Sequence, residues 1–444
     1  DEIQALRYDS TSRGRKFRRF FQQFPECRLV GLSGTLSSAS VMDYWHLARY
    51  ALRQYSPLPL KKEIAESWAR VLDKDGKPAD KDWAEAWPLT HHFTGHRGGQ
   101  PFEDTADASH VKQVRLAYQK RFLSSPFTVG TLAPACSAPL NITGVRQPVP
   151  PVVAEALRNL MDTWDRPDGE ELADGASVAR CAKQLSLGFY YRWDWPGEPD
   201  EEWLDARSLW NSSVRWYLQR FAREGCDTAM QVEQYIRSTM HDKGGGMLRT
   251  EERKRGNKNN LGKAPTMAEA LRAWDEQRDK PPPPTKAVWL DTSIMAWALQ
   301  WAHRTQGVLW FQSIAVGEML DALGLGVYRT STPSPERIKS GPVAVGWITN
   351  HKGKNQFYKA GSSKSLVLEP PGSKAGAQQW EQMLGRQHRG NRTEPVYIEV
   401  VQGTWTQQLA MQQALHGATF QEDTTGQPQK LLLATRRGLR STHQ

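Results

Sequence analysis

The stretch WEQMLGRQHRG, Trp380 to Gly390, sets Gln382, Gly385, Arg386 and Arg389 at intervals of three, one and three. In a helix these positions share one face, because residues three and four apart are neighbours. That face carries an amide, a bare backbone patch and two guanidiniums, a surface suited to a polyanion. Taken alone, a G-R-x-x-R pattern is most often a solvated basic helix end. The amide three residues upstream, the preceding Trp-Glu and a following strand favour a functional reading here.

Working outward, short apolar runs alternate with helix-like segments. AVWLDT (287–292), GVLWFQ (307–312), GPVAVGWIT (341–349), SKSLVLEP (363–370) and EPVYIEVV (394–401) read as strands. SIMAWALQWAHRT (293–305), SIAVGEMLDALG (313–324) and QQWEQMLGRQHR (378–389) read as helices. Such alternation predicts an α/β fold with a mainly parallel, doubly wound sheet. At the other end, RGRKFRRFFQQF (13–24) is a basic amphipathic helix, CRLVGLSGT (27–35) a strand running into a Gly turn, and SVMDYWHLARYAL (40–52) a helix with Ser40 as its cap.

Between them the composition shifts to Trp, Pro and charge. VVAEALRNLMDTW (152–164) and EEWLDARSLWNSSVRWYLQRFAREG (201–225) are amphipathic helices, and AYQKRFLSSPFTVG (117–130) is a helix and turn. LRTEERKRGNKNNLGKAP (248–265) is a polar basic loop. DKPPPPT (279–285) is a stiff linker, since proline runs favour polyproline II. Four divisions follow: 1–55, a mainly helical insertion over 56–285, an α/β lobe over 286–401, and a helix with a basic tail over 402–444.

The bulk numbers limit the function classes. A chain of 444 residues has room for two or three domains. No apolar run approaches the roughly 18 residues of a membrane span. The net charge of +10, from 58 basic and 48 acidic residues, favours a polyanionic partner such as nucleic acid. Cys27, Cys136, Cys181 and Cys226 lie far apart, so neither a zinc site nor a disulfide framework is indicated and a reducing, cytosolic setting fits. His91, His92 and His96 lack an evident fourth ligand and read as a polar loop. Most of the insertion's tryptophans read as core.

QMLGRQHR satisfies Q-x-x-G-R-x-x-R and resembles the sixth motif of superfamily 2 helicases of the DEAD/DEAH-like, phage and bacterial type. VLWFQSIAVGEMLDAL (308–323) resembles their fourth motif and TNHKGKN (349–355) their fifth. DEIQ (1–4) is similar to the second motif and LSGT (32–35) to the third. The order is that of the family. The resemblance covers 1–55 and 286–401, and the insertion only weakly. It implies two RecA-like lobes, the first truncated, and an ATP-dependent helicase or translocase acting on DNA or RNA in a bacterial or phage-infected cytoplasm.

The resemblance also implies roles. Asp1 is expected to hold magnesium through water, and Glu2 to orient the water that attacks ATP. Arg386 and Arg389 are expected to stabilise charge on the transferring phosphoryl group, with Gln382 nearby and Gly385 allowing close helix approach. Ser33 and Thr35 would couple the lobes, while Gly353, Lys354 and Asn355 would sit at the cleft and the nucleic-acid backbone.

One departure stands out. The sequence contains no G-x-x-x-x-G-K-[ST]; GNKNNLGKA (256–264) has one residue too many between its glycines and Ala where a hydroxyl is needed. The expectation is that the phosphate loop sits on a missing N-terminal segment or a separate chain, leaving this chain inactive in isolation. The alternatives are a non-catalytic nucleic-acid-binding remnant or partner subunit, and a duplex translocase that does not unwind.

Overall fold

In the computed structural model the described residues are 3–6, 11–33, 36–37, 39–90, 108–130, 136–221, 227–241, 266–328, 342–346, 363–372, 376–390 and 392–441. Eight strands lie among them: β1 Leu140–Val145, β2 Phe189–Trp193, β3 Thr285–Trp289, β4 Val308–Phe311, β5 Gly326–Tyr328, β6 Val343–Gly346, β7 Lys364–Val367 and β8 Val396–Val401. Six form one sheet in the order β1-β8-β7-β4-β6-β5. Every pairing in it is parallel. The α/β, parallel-sheet fold is therefore as the alternation predicts.

The chain divides into two compact units, one of residues 1–146, 300–312 and 320–444, the other of residues 147–299 and 313–319. The first holds the six-stranded sheet. Its inner strands β4 and β6 are buried at every position, as expected of parallel strands covered on both faces. Val396, Ile398 and Val400 of β8 join one core cluster with Trp380, Met383 and Leu384 of the helix Gly376–Gln387, Met411 and Ala414 of the helix Trp405–Thr425, and Leu431 and Leu432 of the helix Lys430–Ser441. On the alternate positions of β8, Glu399 accepts from Trp301 Nε1 at 3.1 Å. The long helix Trp405–Thr425 starts at a reciprocal cap, in which Thr404 N donates to Gln407 Oε1 at 3.0 Å. It stops at Gly426, whose φ of 73° favours a residue without Cβ.

A second cluster in this unit is helical. It packs Tyr44, Trp45, Trp68, Leu72 and Tyr118 with Phe420 of the long helix. Here Ser40 caps a 3-10 turn at Val41–Asp43 ahead of the helix Trp45–Leu52, accepting from Met42 N at 3.1 Å.

The second unit pairs β2 with β3 antiparallel and surrounds them with helices. Its cores gather Trp210, Val214, Tyr217 and Leu271 in one cluster and Leu157, Leu160, Val178 and Leu185 in another. Gly188 turns into β2 with a φ of 88°, and a Cβ there would lie 2.1 Å from the Asp291 carbonyl oxygen. Arg207 lies over the rings of Trp193 and Trp203 at 5.2 and 5.3 Å, so these tryptophans serve packing and cation–π contacts.

Three placements differ from the sequence expectation. Strand β1 lies in the stretch read as insertion, yet it pairs with β8 from Leu140↔Val396 to Val145↔Val401. Strand β3, read as opening the α/β lobe, belongs instead to the two-stranded sheet. The 27–35 stretch, read as a strand, pairs with none among the described residues. The physical reason is common to all three: sheet membership is fixed by partners distant in sequence, which local pattern does not encode.

Candidate functional site

The helix Gly376–Gln387 carries the polyanion-facing pattern, and its orientation is fixed from its other side. Ala377, Trp380, Met383 and Leu384 recur at helical spacing and enter the sheet core. Trp380 is fully buried, and its Nε1 donates to Pro371 O at 3.2 Å. Glu381 accepts from Lys430 Nζ at 3.2 Å and Leu431 N at 3.3 Å, so it serves the first turn of the next helix. Gln387 is anchored by a buried ladder: Trp310 Nε1 donates to Ser365 Oγ at 3.1 Å, and Ser365 Oγ donates to Gln387 Oε1. The Trp-Glu pair that favours a functional reading of the motif is thus a packing device.

The remaining side holds Gln382, Gly385 and Arg386, all half-buried. Arg389 is exposed and lies just past the helix end at Gln387. The four residues are brought together, with the difference that Arg389 leaves the helix. Gln382 spends its amide on no hydrogen bond among the described residues. Among the described residues a Cβ on Gly385 would meet nothing within 4 Å.

Sequence reasoning missed the turn that follows. His388 and Arg392 are 8% and 7% exposed, unusual for groups that ionise. His388 Nε2 donates to Ala138 O at 2.7 Å, and burial pushes its imidazole pKa down, so the ring is neutral. Arg392 Nη1 donates to Gln387 O at 3.4 Å, placing a cation at the carboxyl end of the motif helix. Gln387 Nε2, His388 Nδ1 and Arg392 Nε find no hydrogen-bond partner among the described residues. No sequence signal distinguishes these from the exposed Gln and Arg beside them, except that Gln387 falls on the apolar phase of the helix.

At the amino end, Ile3 N donates to Leu32 O at 3.1 Å. This seats the residues following Asp1 and Glu2 beside Ser33, which is half-buried. Asp1, Glu2, Thr35, Gly353, Lys354 and Asn355 lie outside the described residues, as do His91, His92, His96 and the basic loop 248–265. Ser37 O accepts from Gln421 Nε2 at 2.7 Å, so the turn region is tied to the long helix that packs against the motif helix. An apolar cavity of about 930 Å³ lies by this region, lined by Ile3, Leu29, Ser33, Leu36, Tyr44 and Phe122 among others, and not by Gln382, Gly385, Arg386 or Arg389. No group of three or more metal-ligating side chains occurs among the described residues. No helix among them is long and apolar enough to cross a membrane.

No family model matches the chain. No curated protein matches it either. Among solved structures it is similar to the crystal structure of the C-terminal part of Fun30 ATPase domain, at 11% identity and a TM-score of 0.28, over 65% of this chain and 99% of that one. A likeness at that level carries no weight for function.

Proposed function

We propose that the chain is the arginine-bearing part of a superfamily 2 helicase or translocase, which binds ATP against the open side of the helix Gly376–Gln387 and acts on DNA or RNA. The observation that carries this reading is the division of that helix. One side is fixed by Trp380, Glu381 and Gln387, and the other offers, among the described residues, Gln382, Arg386 and open space beside Gly385, with Arg389 just beyond. Guanidiniums stay ionised and match phosphate oxygens with a planar fork, which suits charge building on a transferring phosphoryl group. The bond from Ile3 N to Leu32 O supports the reading at the other end, because it joins the segments read as second and third motifs.

Residue by residue, the described groups fit the phosphate side of a nucleotide. Arg386 and Arg389 would neutralise terminal phosphate oxygens, and Gln382 would hydrogen-bond beside them. Magnesium would screen the same oxygens when bound. Asp1 would hold it, and Glu2 would orient the attacking water. Nucleic acid would be held through phosphates, hence with little regard to sequence.

Because the sequence holds no G-x-x-x-x-G-K-[ST], turnover requires a phosphate loop from another polypeptide segment. The same absence favours the second reading, a nucleic-acid-binding module without turnover. The test is nucleic-acid-stimulated ATP hydrolysis by the chain supplied with a phosphate-loop segment. Arg389→Ala should abolish turnover, by about a thousand-fold on the arginine-finger scale, and leave nucleic-acid binding intact. Unchanged turnover would remove Arg389 from the role. Binding without any turnover would select the second reading.

A further inference from the structure

The second unit holds a cavity of about 590 Å³ that the nucleotide reading leaves unused. The helix Glu201–Phe221 forms one wall, because Leu204, Arg207, Ser208 and Asn211 recur at helical spacing and all line it. The end of β2 and the residues after it form another, with Arg192, Trp193, Asp194 and Trp195. Most charges in the lining are spent on one another. Arg166 Nε donates to Asp168 Oδ1 at 2.6 Å, and its Nη2 pairs with Glu170 Oε2 at 2.6 Å. Arg207 Nε donates to Glu170 Oε1 at 3.3 Å. Lys286 Nζ pairs with Asp194 Oδ1 at 2.5 Å, and Arg215 Nη2 with Glu171 Oε2 at 3.3 Å. These pairs hold the walls in place before any ligand arrives.

The groups left unspent define the ligand. Asn211 is 7% exposed; its Nδ2 donates to Glu171 O at 3.0 Å, and its Oδ1 accepts from nothing among the described residues. Trp193 Nε1 is buried and has no acceptor among them. The Trp195 ring is half-buried. The unpaired charges are one of each sign, Arg192 and Asp205, both exposed, so a ligand of either charge meets an opposing group as well as a partner. A cation also finds Arg207 already over the rings of Trp193 and Trp203. An apolar ligand would strip water from the ion pairs and return no hydrogen bond. A flat, neutral heterocycle with donors and acceptors along its edge meets all of these conditions. It lies against Trp195, gives an N–H to Asn211 Oδ1 and, as part of a nucleotide, leaves its phosphate to Arg192.

We infer that this cavity receives one unpaired base of a nucleic-acid strand, with Trp195 as the stacking ring, Asn211 Oδ1 as the acceptor for a base N–H and Arg192 as the contact to its phosphate. A base stacked within a duplex cannot enter, so the site selects single strand. The inference rests on the nucleic-acid partner of the proposed function but not on its nucleotide site, since Arg386 and Arg389 belong to the other unit.

The experiment measures binding of the full chain, by fluorescence anisotropy, to labelled oligo(dA) of about twelve nucleotides and to an abasic strand with the same number of phosphates. The expected result is an affinity at least about tenfold higher for oligo(dA). Trp195→Ala and Asn211→Leu should each shrink that difference and leave binding of the abasic strand unchanged, whereas Arg192→Ala should weaken both strands alike. The Arg386→Ala/Arg389→Ala double variant should keep the preference. Irradiation of an iodouracil-bearing strand should crosslink it within residues 192–211, a readout that needs no variant to fold. Equal binding of the two strands would overturn the inference and leave the nucleic-acid reading standing; binding of neither would overturn both. A preference that survives Trp195→Ala and Asn211→Leu, or crosslinks that map elsewhere, would place the base at another site. Adenosine monophosphate bound as tightly as oligo(dA), and lost in Trp195→Ala, would make a free nucleotide the occupant in place of a strand.

Discussion

The amide of Ile3 donates to the carbonyl of Leu32 across 3.1 Å, and this single bond joins two segments that the sequence separates by a basic amphipathic helix. It sets the residues after the acidic pair beside the Ser33 turn, in the same compact unit as the motif helix. In the proposed function these are the segments that answer nucleotide state and pass it on. The arrangement leads to several measurable consequences.

The motif helix should depend on Trp380 more than on either arginine. Trp380 is fully buried in the sheet core, so Trp380→Ala should cost about 3–5 kcal/mol in urea unfolding. Arg386→Ala and Arg389→Ala remove half-buried and exposed groups and should stay within about 1 kcal/mol of the parent. A smaller loss for Trp380→Ala than for Arg389→Ala would contradict the division of the helix into a fixed side and a working side.

Stability should fall as pH rises toward neutrality, through Asp73. Desolvation pushes its carboxyl up to about 7, against hydrogen bonds from Ser40 and from Val41 N at 2.9 Å. A raised carboxyl favours the protonated form in the fold. Its stabilising contribution is therefore complete below the unfolded value of about 4 and is lost as pH passes through about 7. The thermal midpoint of Asp73→Asn should accordingly change less between about pH 5 and pH 8 than that of the parent chain. Parallel pH profiles for the two proteins would exclude this assignment.

At Gly188 the backbone itself sets the residue. Its φ of 88°, and the 2.1 Å that would separate an added Cβ from Asp291 O, leave no room for alanine. Gly188→Ala should lower stability by more than the roughly 1 kcal/mol of an unstrained glycine replacement. A neutral result would mean that the turn into β2 relaxes freely.

Nucleic-acid binding should weaken steeply with salt, because displaced counterions drive association with a chain of net charge +10. Titration of a fluorescent single strand at several salt concentrations gives the slope of log affinity against log salt. A flat response would count against a phosphate-tracking surface.

The sequence makes some of this legible and hides the rest for identifiable reasons. Strands β4 and β6 are continuous apolar runs, β7 and β8 lie in largely apolar stretches, and the buried phase of Ala377, Trp380 and Leu384 announces their covering helix. Strand β1, LNITGV, mixes Leu, Ile and Val with Asn, Thr and Gly, and its partner β8 lies 256 positions away, from Leu140 to Val396. Nothing local marks it as part of the sheet. The spacing of Gln382, Gly385 and Arg386 reads directly onto one helix side, since it depends only on helical geometry, while Arg389 falls past the helix end at Gln387. The packing roles of Trp380 and Glu381, the open space at Gly385 among the described residues and the buried Arg392 do not, since each depends on which elements lie next to the helix.

The most direct test of the nucleotide site is calorimetric titration of ATP with magnesium into the chain and into its Arg386→Ala/Arg389→Ala double variant. The account predicts saturable binding by the parent, in the range of about millimolar for a half-site, and at least about tenfold weaker binding by the variant, a loss of about 1.4 kcal/mol. Equal affinities, or no binding by the parent chain, would contradict it.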